Sequence, residues 1–147
     1  MYWLAALAQA SFVFSATPNP FTDSPEYLVR MANERGPSVS ISCTEDGRWR
    51  PVVYIDAAER LATPYAIYSR YPTSIRFDQE AAFEIKLGYS GTMAFASGKE
   101  AEKLLDNMAT HSSFVIELLK DGPGERLILR IPLDGAAGAI ARLREHC

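Results

Sequence analysis

The sequence predicts a mainly β fold of the α+β kind, a single-domain antiparallel β-sandwich with two helices, one of them C-terminal. Three observations indicate this class. Many short segments alternate between apolar and polar residues, as half-buried antiparallel strands do. Turn sequences rich in glycine, proline and aspartate separate these segments. Helical periodicity is confined to two stretches, which begin near Ser97 and near Ala136.

The first half of the chain is predicted to consist of strands. Asp46-Gly47 is a strong hairpin signal between the third and fourth of them. Pro51 indicates either an edge strand or the start of a strand, because proline cannot donate to a sheet ladder. The predicted segments are 12–16, 26–32, 38–43 and 49–55.

The second half continues with strands on both sides of a helix. We expect 65–71 and 74–77 to be separate strands because Pro72 lies between them. Strict alternation from Phe83 to Tyr89 predicts a strand with one buried face, and Gly91 turns the chain into 92–96. Segments 113–119 and 126–131 flank a glycine-rich turn and predict a hairpin.

Both predicted helices carry capping signals. Ser97 with Glu100 three residues later forms a capping box, which is typical of a helix N-terminus. Asp134 is the predicted N-cap of the final helix. Apolar residues at helical spacing give each helix one buried side: Ala101, Leu104, Leu105 and Met108 in the first, and Ala136, Ala139, Ile140, Leu143 and Cys147 in the second.

Composition excludes several classes of protein. Of the 147 residues, 48% are hydrophobic and 22% charged, which indicates a packed fold and excludes a disordered chain. The net charge is −3 and there is no basic run, so nucleic acid is not an expected partner. No apolar stretch reaches the roughly 20 residues that a transmembrane helix needs. Composition alone does not indicate an activity.

The N-terminal residues 1–10 have the character of a truncated signal peptide. Leu4 to Leu7 are apolar, and Ala8-Gln9-Ala10 has the small-x-small form of a signal-peptidase site. We interpret this segment as a signal-peptide remnant, followed by one β-rich domain over residues 11–147. The alternative is a short hydrophobic segment that packs on the domain.

The two cysteines are predicted to face the core. Cys43 shares the apolar phase of a strand with Val39 and Ile41, and Cys147 lies on the apolar side of the final helix. We expect a Cys43–Cys147 disulfide, which would indicate a periplasmic or secreted protein. The alternative is two buried free thiols, as found in cytosolic proteins.

No catalytic constellation is visible, so we expect a protein that is not an enzyme and has no cofactor or metal site. Neither histidine lies in a ligand-spacing motif, and Gly88-Tyr89-Ser90-Gly91 is one residue too short for a nucleophile elbow. His111, just after the first helix, suits a structural role at the helix C-terminus. The enzymatic alternative is a hydrolase that uses carboxylates such as Asp23 and Asp78.

A polar and aromatic recognition surface is the other candidate site. Exposed tyrosine and arginine on a sheet suit a protein interface or stacking on sugars, so Tyr68, Arg70 and Tyr71 also support a carbohydrate or small-ligand module. The structural alternatives are a tyrosine-covered rim, a surface ion pair between Arg76 and Asp78, and turn hydrogen bonding by Asp23. The candidate recognition residues are Asp23, Tyr68, Arg70, Tyr71, Arg76 and Asp78.

The order of several short motifs resembles the type VI secretion-associated VasI/TagO family of small exported proteins. The chain carries Pro20-Phe21-Thr22-Asp23 early, Ile75-Arg76-Phe77-Asp78 before an aromatic hairpin, and a final helix that ends at Cys147. It departs from the family pattern in having Tyr89 where tryptophan is expected and Gly135-Ala136 in place of Gly-Leu. The resemblance implies an export-dependent disulfide and an accessory role in the periplasm.

The leading functional hypothesis is therefore a non-enzymatic exported domain that binds another protein, with a secretion system as one setting. The sequence identifies neither the partner nor the oligomeric state.

Overall fold

The computed structural model describes residues 11–18, 20–21, 25–31, 36–44, 49–63 and 70–147. In these ranges the chain forms nine strands, all paired antiparallel, and two helices, of which one is C-terminal. The predicted antiparallel β-rich class and both helices are confirmed. The elements are β1 (Phe12–Pro18), β2 (Pro25–Met31), β3 (Ser38–Thr44), β4 (Val52–Asp56), β5 (Arg70–Phe77), β6 (Phe83–Ser90), β7 (Met93–Ser97), α1 (Gly98–Met108), β8 (Ser113–Leu119), β9 (Arg126–Pro132) and α2 (Ala136–His146).

The strands form one continuous sheet in the order β1-β2-β3-β4-β7-β6-β5-β8-β9. The predicted sandwich is thus refined, because the layer that packs on this sheet is made by the two helices. α1 contacts β4, β7 and β6, while α2 contacts β1 and β2. The helices thus cover the inner side of these five strands, as a sheet with one apolar face requires.

The segment after β4 crosses one end of this sheet. Ala57 N–H donates to the Thr92 carbonyl at 2.8 Å, and Leu61 N–H donates to the Gly91 carbonyl at 2.9 Å. Leu61 then forms a β-bridge with Lys120, just past the end of β8, and its side chain is buried. This segment covers the core at the end of the sheet where β6 ends and where β5 and β7 begin.

The core is built from the alternation that the sequence displays. Val39, Ile41 and Cys43 are all buried on the inner face of β3, as predicted. The buried side of α1 consists of the four predicted residues Ala101, Leu104, Leu105 and Met108. Ala94 and Ala96 of β7 are also fully buried, and their small side chains permit close packing of the helix on the sheet.

The prediction that Pro72 separates two strands is wrong. β5 continues through Pro72, which is exposed and lies opposite Lys86 of β6. Pairing of β5 with β8 begins only at Ser74. Pro72 therefore lies where β5 has a paired strand on one side only, which is where a residue without an N–H is tolerated. The strand predicted over 65–71 lies mostly outside the described residues.

Both predicted side-chain caps are also wrong. Ser97 is at the N-cap of α1 but makes no capping hydrogen bond, and its hydroxyl accepts from the Arg70 guanidinium at 3.2 Å instead. The N-cap of α2 is Gly135 and not Asp134. Gly135 has a φ of +78°, a left-handed conformation that glycine adopts without strain. The Asp134 carbonyl accepts from Phe12 N–H at 3.1 Å and so joins this turn to β1.

The predicted Cys43–Cys147 disulfide is present, and the alternative of two free thiols is wrong. The Cα atoms lie 6.4 Å apart, and 104 positions separate the two cysteines in the chain. The neighbouring His146 ring stacks on Phe14 at 5.1 Å and packs on Tyr27 at 4.8 Å between ring centroids. The bond and these rings together fix the end of α2 to β1, β2 and β3.

We expect reduction of the disulfide to lower the free energy of unfolding by about 4–5 kcal/mol, because it releases a loop of about 100 residues in the unfolded chain. Urea denaturation of the oxidised and reduced protein measures this difference. The double variant Cys43→Ala/Cys147→Ala is the control, since reductant should leave its stability unchanged. Equal stability of oxidised and reduced protein would contradict the prediction.

Candidate functional site

The structure describes four of the six predicted recognition residues. Asp23 and Tyr68 lie outside the described residues. Arg70 and Arg76 are exposed on the outer face of β5, whereas Tyr71 is half-buried in the opposite phase of the strand. Asp78 is in the turn that follows β5. These side chains therefore do not form one continuous surface.

Tyr71 has structural partners on the inner side of the sheet. Its hydroxyl donates to the Thr63 carbonyl at 3.0 Å, and its ring lies 4.9 Å from the ring of Tyr89. The buried Tyr89 hydroxyl in turn accepts from Leu119 N–H at 3.2 Å. Because Arg70 and Tyr71 point to opposite faces, they cannot contact one sugar or small ligand together.

Asp78 holds the β5–β6 turn against the start of β8. Its carboxylate accepts from the Ser112 hydroxyl at 2.8 Å, from Ser112 N–H at 3.1 Å and from Ser113 N–H at 2.9 Å. These hydrogen bonds, the Ser112 hydroxyl first, hold the pKa of the Asp78 carboxyl below its ordinary value of 3.8. The carboxylate is therefore committed to a structural role.

The suggested ion pair between Arg76 and Asp78 does not form. The Arg76 guanidinium donates instead to the Gln79 carbonyl at 3.2 Å. For the proposed carboxylate hydrolase, Asp78 is thus already engaged, and the position of Asp23 lies outside the described residues. The part of the chain that the structure describes also contains no group of three metal-ligating side chains.

His111 joins the end of α1 to the β5–β6 turn. Its Nε2 lies 3.0 Å from the Glu80 carboxylate, and its Nδ1 lies 2.8 Å from the Asn107 carbonyl. Both neighbours are acceptors, so the doubly protonated ring satisfies both. Hydrogen bonding to Glu80, followed by that to Asn107, raises the pKa of His111 above 6.5. This supports the predicted structural role at a helix C-terminus.

Arg76 contributes to a shallow cavity on the outer face of β5, β8 and β9. The cavity has a volume of about 300 Å³. Strand register places Arg76 beside Val115 and Val115 beside Arg130. Asp78, Gln79 and Ala82 of the β5–β6 turn line one end of the cavity. We call the outward-facing side chains of the three strands the outer β9 surface; they are Ser74, Arg76, Val115, Glu117, Arg126, Ile128 and Arg130.

Ile128 is the most unusual member of the outer β9 surface. Its side chain is 59% exposed although it lies in the middle of a strand. It is flanked on the same face by Arg126 and Arg130, both exposed. Arg126 is 3.7 Å from the Glu117 carboxylate. With Arg76 added, three arginines stand against two carboxylates, Glu117 on the strands and Asp78 at the end of the cavity, so the local charge is positive, opposite in sign to the net charge of −3.

Sequence reasoning identified Arg76 but missed Ile128 and Arg130. The run Leu127 to Ile131 is dominated by apolar residues and is typical of a buried strand. One signal was available, because Ile128 shares the alternation phase of Arg126 and Arg130. In a strand with a polar outer face, that phase places isoleucine in solvent.

A second cavity of about 350 Å³ lies beside Trp49 and the disulfide. The Arg144 guanidinium is 5.7 Å from the centre of the Trp49 ring and bonds to the Asp106 carboxylate at 2.8 Å. Arg144 and Asp106 thus neutralise each other in this cavity, which is also lined by Glu102. It offers fewer open groups to a partner than the outer β9 surface.

No protein-family model, curated protein or solved structure matches the chain. The resemblance to the VasI/TagO family consequently stays a prediction. Among the described residues, neither helix has the length and apolar character needed to cross a membrane.

We expect Asp78→Ala to destabilise the protein more than Asp78→Asn. Alanine removes every acceptor for Ser112 and Ser113, and it also strains the backbone, whose φ at this position is +48°. Asparagine keeps one acceptor oxygen and tolerates this φ. Chemical denaturation should give midpoints in the order wild type, asparagine variant, alanine variant. Asp121→Ala, in an exposed turn, is the control and should change little; an equal loss there would contradict the assignment.

We expect His111 to make stability depend on pH. Because its pKa is raised on folding, its contribution is fully present below about pH 6.5, its unfolded value, and is lost as the pH rises through the folded pKa. Unfolding free energies measured in urea from pH 5 to 8 should show this decline. The decline should be absent from His111→Gln and reduced in Glu80→Gln. An unchanged profile in His111→Gln would refute the prediction.

Proposed function

We propose that the protein is a non-enzymatic, exported domain that binds another protein through the outer β9 surface. One observation carries the proposal: Ile128, an exposed apolar residue, lies between two arginines on an edge strand. Exposed apolar side chains framed by arginine are typical of the central part of protein interfaces. The cavity beside Ile128 is shallow, which suits a protein surface better than an enclosed small substrate.

Export is supported by the disulfide. Disulfides persist in oxidising compartments and are rare in the cytosol, where thiols are kept reduced. The Cys43–Cys147 bond joins two distant parts of the fold, so it has a structural role. We therefore propose a periplasmic or secreted location. Association with a secretion system depends on the family resemblance alone and is the finer part of the proposal.

Binding is favoured over catalysis by how the candidate groups are used. Asp78 lines one end of the cavity but its carboxylate bonds to Ser112 and Ser113, and His111 bonds to Glu80 and Asn107, so both groups already have hydrogen-bond partners within the fold. Arg76, Ile128 and Arg130 instead face solvent. These open groups can supply apolar contact and charge, which is what recognition requires.

A photoreactive amino acid placed at Ile128 should crosslink the protein to one dominant partner in cells of its native host. Val13 is the matched control, because it is also apolar, lies on the other edge strand and is 54% exposed. The same crosslinked products at both positions, or none at Ile128, would contradict the proposal.

Export is tested separately. The protein from a periplasmic extract, alkylated without reductant, should have the intact mass of a chain with no modified cysteine.

A further inference from the structure

We infer that the free edge of β9 binds an extended acidic peptide of the partner protein, which adds to the sheet as a further strand. This inference rests on the proposed function and specifies the chemistry of the partner. It is carried by three independent features of β9: its open backbone groups, its side-chain pattern and its charge.

The hydrogen-bond register shows which backbone groups of β9 are open. Leu133 N–H donates to the Ser112 carbonyl at 2.9 Å, and Lys120 N–H donates to the Glu125 carbonyl at 3.1 Å, at opposite ends of the β8–β9 pair. In an antiparallel ladder, bonded and non-bonded pairs alternate. Alternating inward from either of these two hydrogen bonds gives the same set of bonded residues. The β9 residues that bond to β8 are Leu127, Leu129 and Ile131.

The intervening residues Arg126, Ile128 and Arg130 therefore direct their N–H and carbonyl groups away from β8. β8 is the one strand that pairs with β9 among the described residues, so this side of β9 is a sheet edge. Pro132, which has no N–H, ends the run of donors. Three successive open positions match an added strand of about five to seven residues.

The same three residues also project their side chains from the outer face. A strand that pairs with them places its own outward side chains directly opposite, within about 5.5 Å. Carboxylates opposite Arg126 and Arg130, and an apolar side chain opposite Ile128, give favourable contacts at all three positions. The peptide that fits has an apolar residue with an acidic residue two positions away on each side.

A second copy of the chain fits this edge poorly. If two β9 strands paired antiparallel about Ile128, Arg126 of each copy would lie opposite Arg130 of the other. Like charges directly opposite in a sheet are destabilising. Edge protection alone does not explain the pattern either, because a protected edge is expected to carry charge or proline at its centre, where this strand has exposed Ile128.

The test uses the full oxidised chain and a synthetic seven-residue peptide with threonine at the odd positions, glutamate at positions 2 and 6, and valine at position 4. We expect it to bind about tenfold or more tightly than the peptide with lysine in place of glutamate, measured by NMR titration. Binding should also protect the amide of Ile128 from hydrogen exchange. Absence of binding, or equal binding of the two peptides, would overturn the inference.

Two changes separate strand addition from simple charge attraction. Ile128→Pro removes one open donor while leaving the β8 ladder complete, and N-methylation of the central valine removes the matching donor of the peptide. Each should weaken binding about tenfold. If Ile128→Pro does not fold, binding of the methylated peptide to the wild-type protein still tests strand addition. Full binding of the methylated peptide would overturn strand addition.

Charge reversal at Arg130→Glu should remove most of the preference for the glutamate peptide, because Arg126 then attracts one glutamate while the carboxylate introduced at position 130 repels the other. Lys99→Glu, an exposed change on α1, is the matched control and should leave the preference unchanged. An unchanged preference in Arg130→Glu would refute the assigned charge complementarity.

The two proposals can fail separately. A cellular partner that crosslinks at Ile128, and that still co-purifies undiminished with the Ile128→Pro variant lacking the photoreactive group, would retain the proposed function and overturn strand addition. Peptide binding at β9 without any cellular partner at Ile128 would support the edge chemistry and contradict the proposed function. A dimer in sedimentation velocity that Ile128→Pro dissociates would identify a second copy as the occupant and overturn the inference.

Discussion

The arrangement of layers depends on the bond between Cys43 and Cys147. α2 covers the β1–β2 part of the sheet with a narrow apolar side, of which Ala136 and Ala139 supply half the buried residues. Alanine buries little apolar area, so this packing stabilises a docked helix only modestly. The disulfide holds the helix end beside β3, and the ring of His146 against Phe14 and Tyr27 then fixes its position. The C-terminal helix is thus held by a covalent bond as much as by its core contacts.

The position of the helices determines where recognition can take place. α1 and α2 cover the inner side of β1, β2, β4, β6 and β7, and the segment containing Leu61 crosses one end of the sheet. The outer face and the two edge strands are therefore the surfaces that the described residues leave for a partner. At the β1 edge, Phe12 N–H is already bonded to the Asp134 carbonyl. The β9 edge presents its open residues together with exposed arginines, which distinguishes it from β1.

Local sequence patterns predicted local structure well, but they did not predict features that depend on pairing between strands distant in the sequence. Alternation identified the inner face of β3, and helical spacing identified the buried side of α1, because both depend on neighbouring residues. The continuity of β5 through Pro72 could not be predicted, because it depends on where pairing with β8 begins. The status of Ile128 is a similar case: the sequence indicates a strand, but strand order decides that this strand is an edge. The inward phase of Tyr71 follows from the buried Thr73 and Ile75 on the same strand.

Arginine on an exposed edge strand both opposes pairing with a second copy of the chain and selects the charge of a partner. A bare edge strand pairs with any extended chain, and cations at its outward positions make pairing between copies unfavourable. The same cations do not repel an acidic chain, so the feature that prevents self-association also selects the sign of the partner's charge. The net charge of −3 on the whole chain does not cancel the preference of the β9 edge for an acidic partner. At physiological ionic strength the Debye length is about 8 Å, so a strand arriving at β9 interacts mainly with Arg126, Arg130 and Arg76.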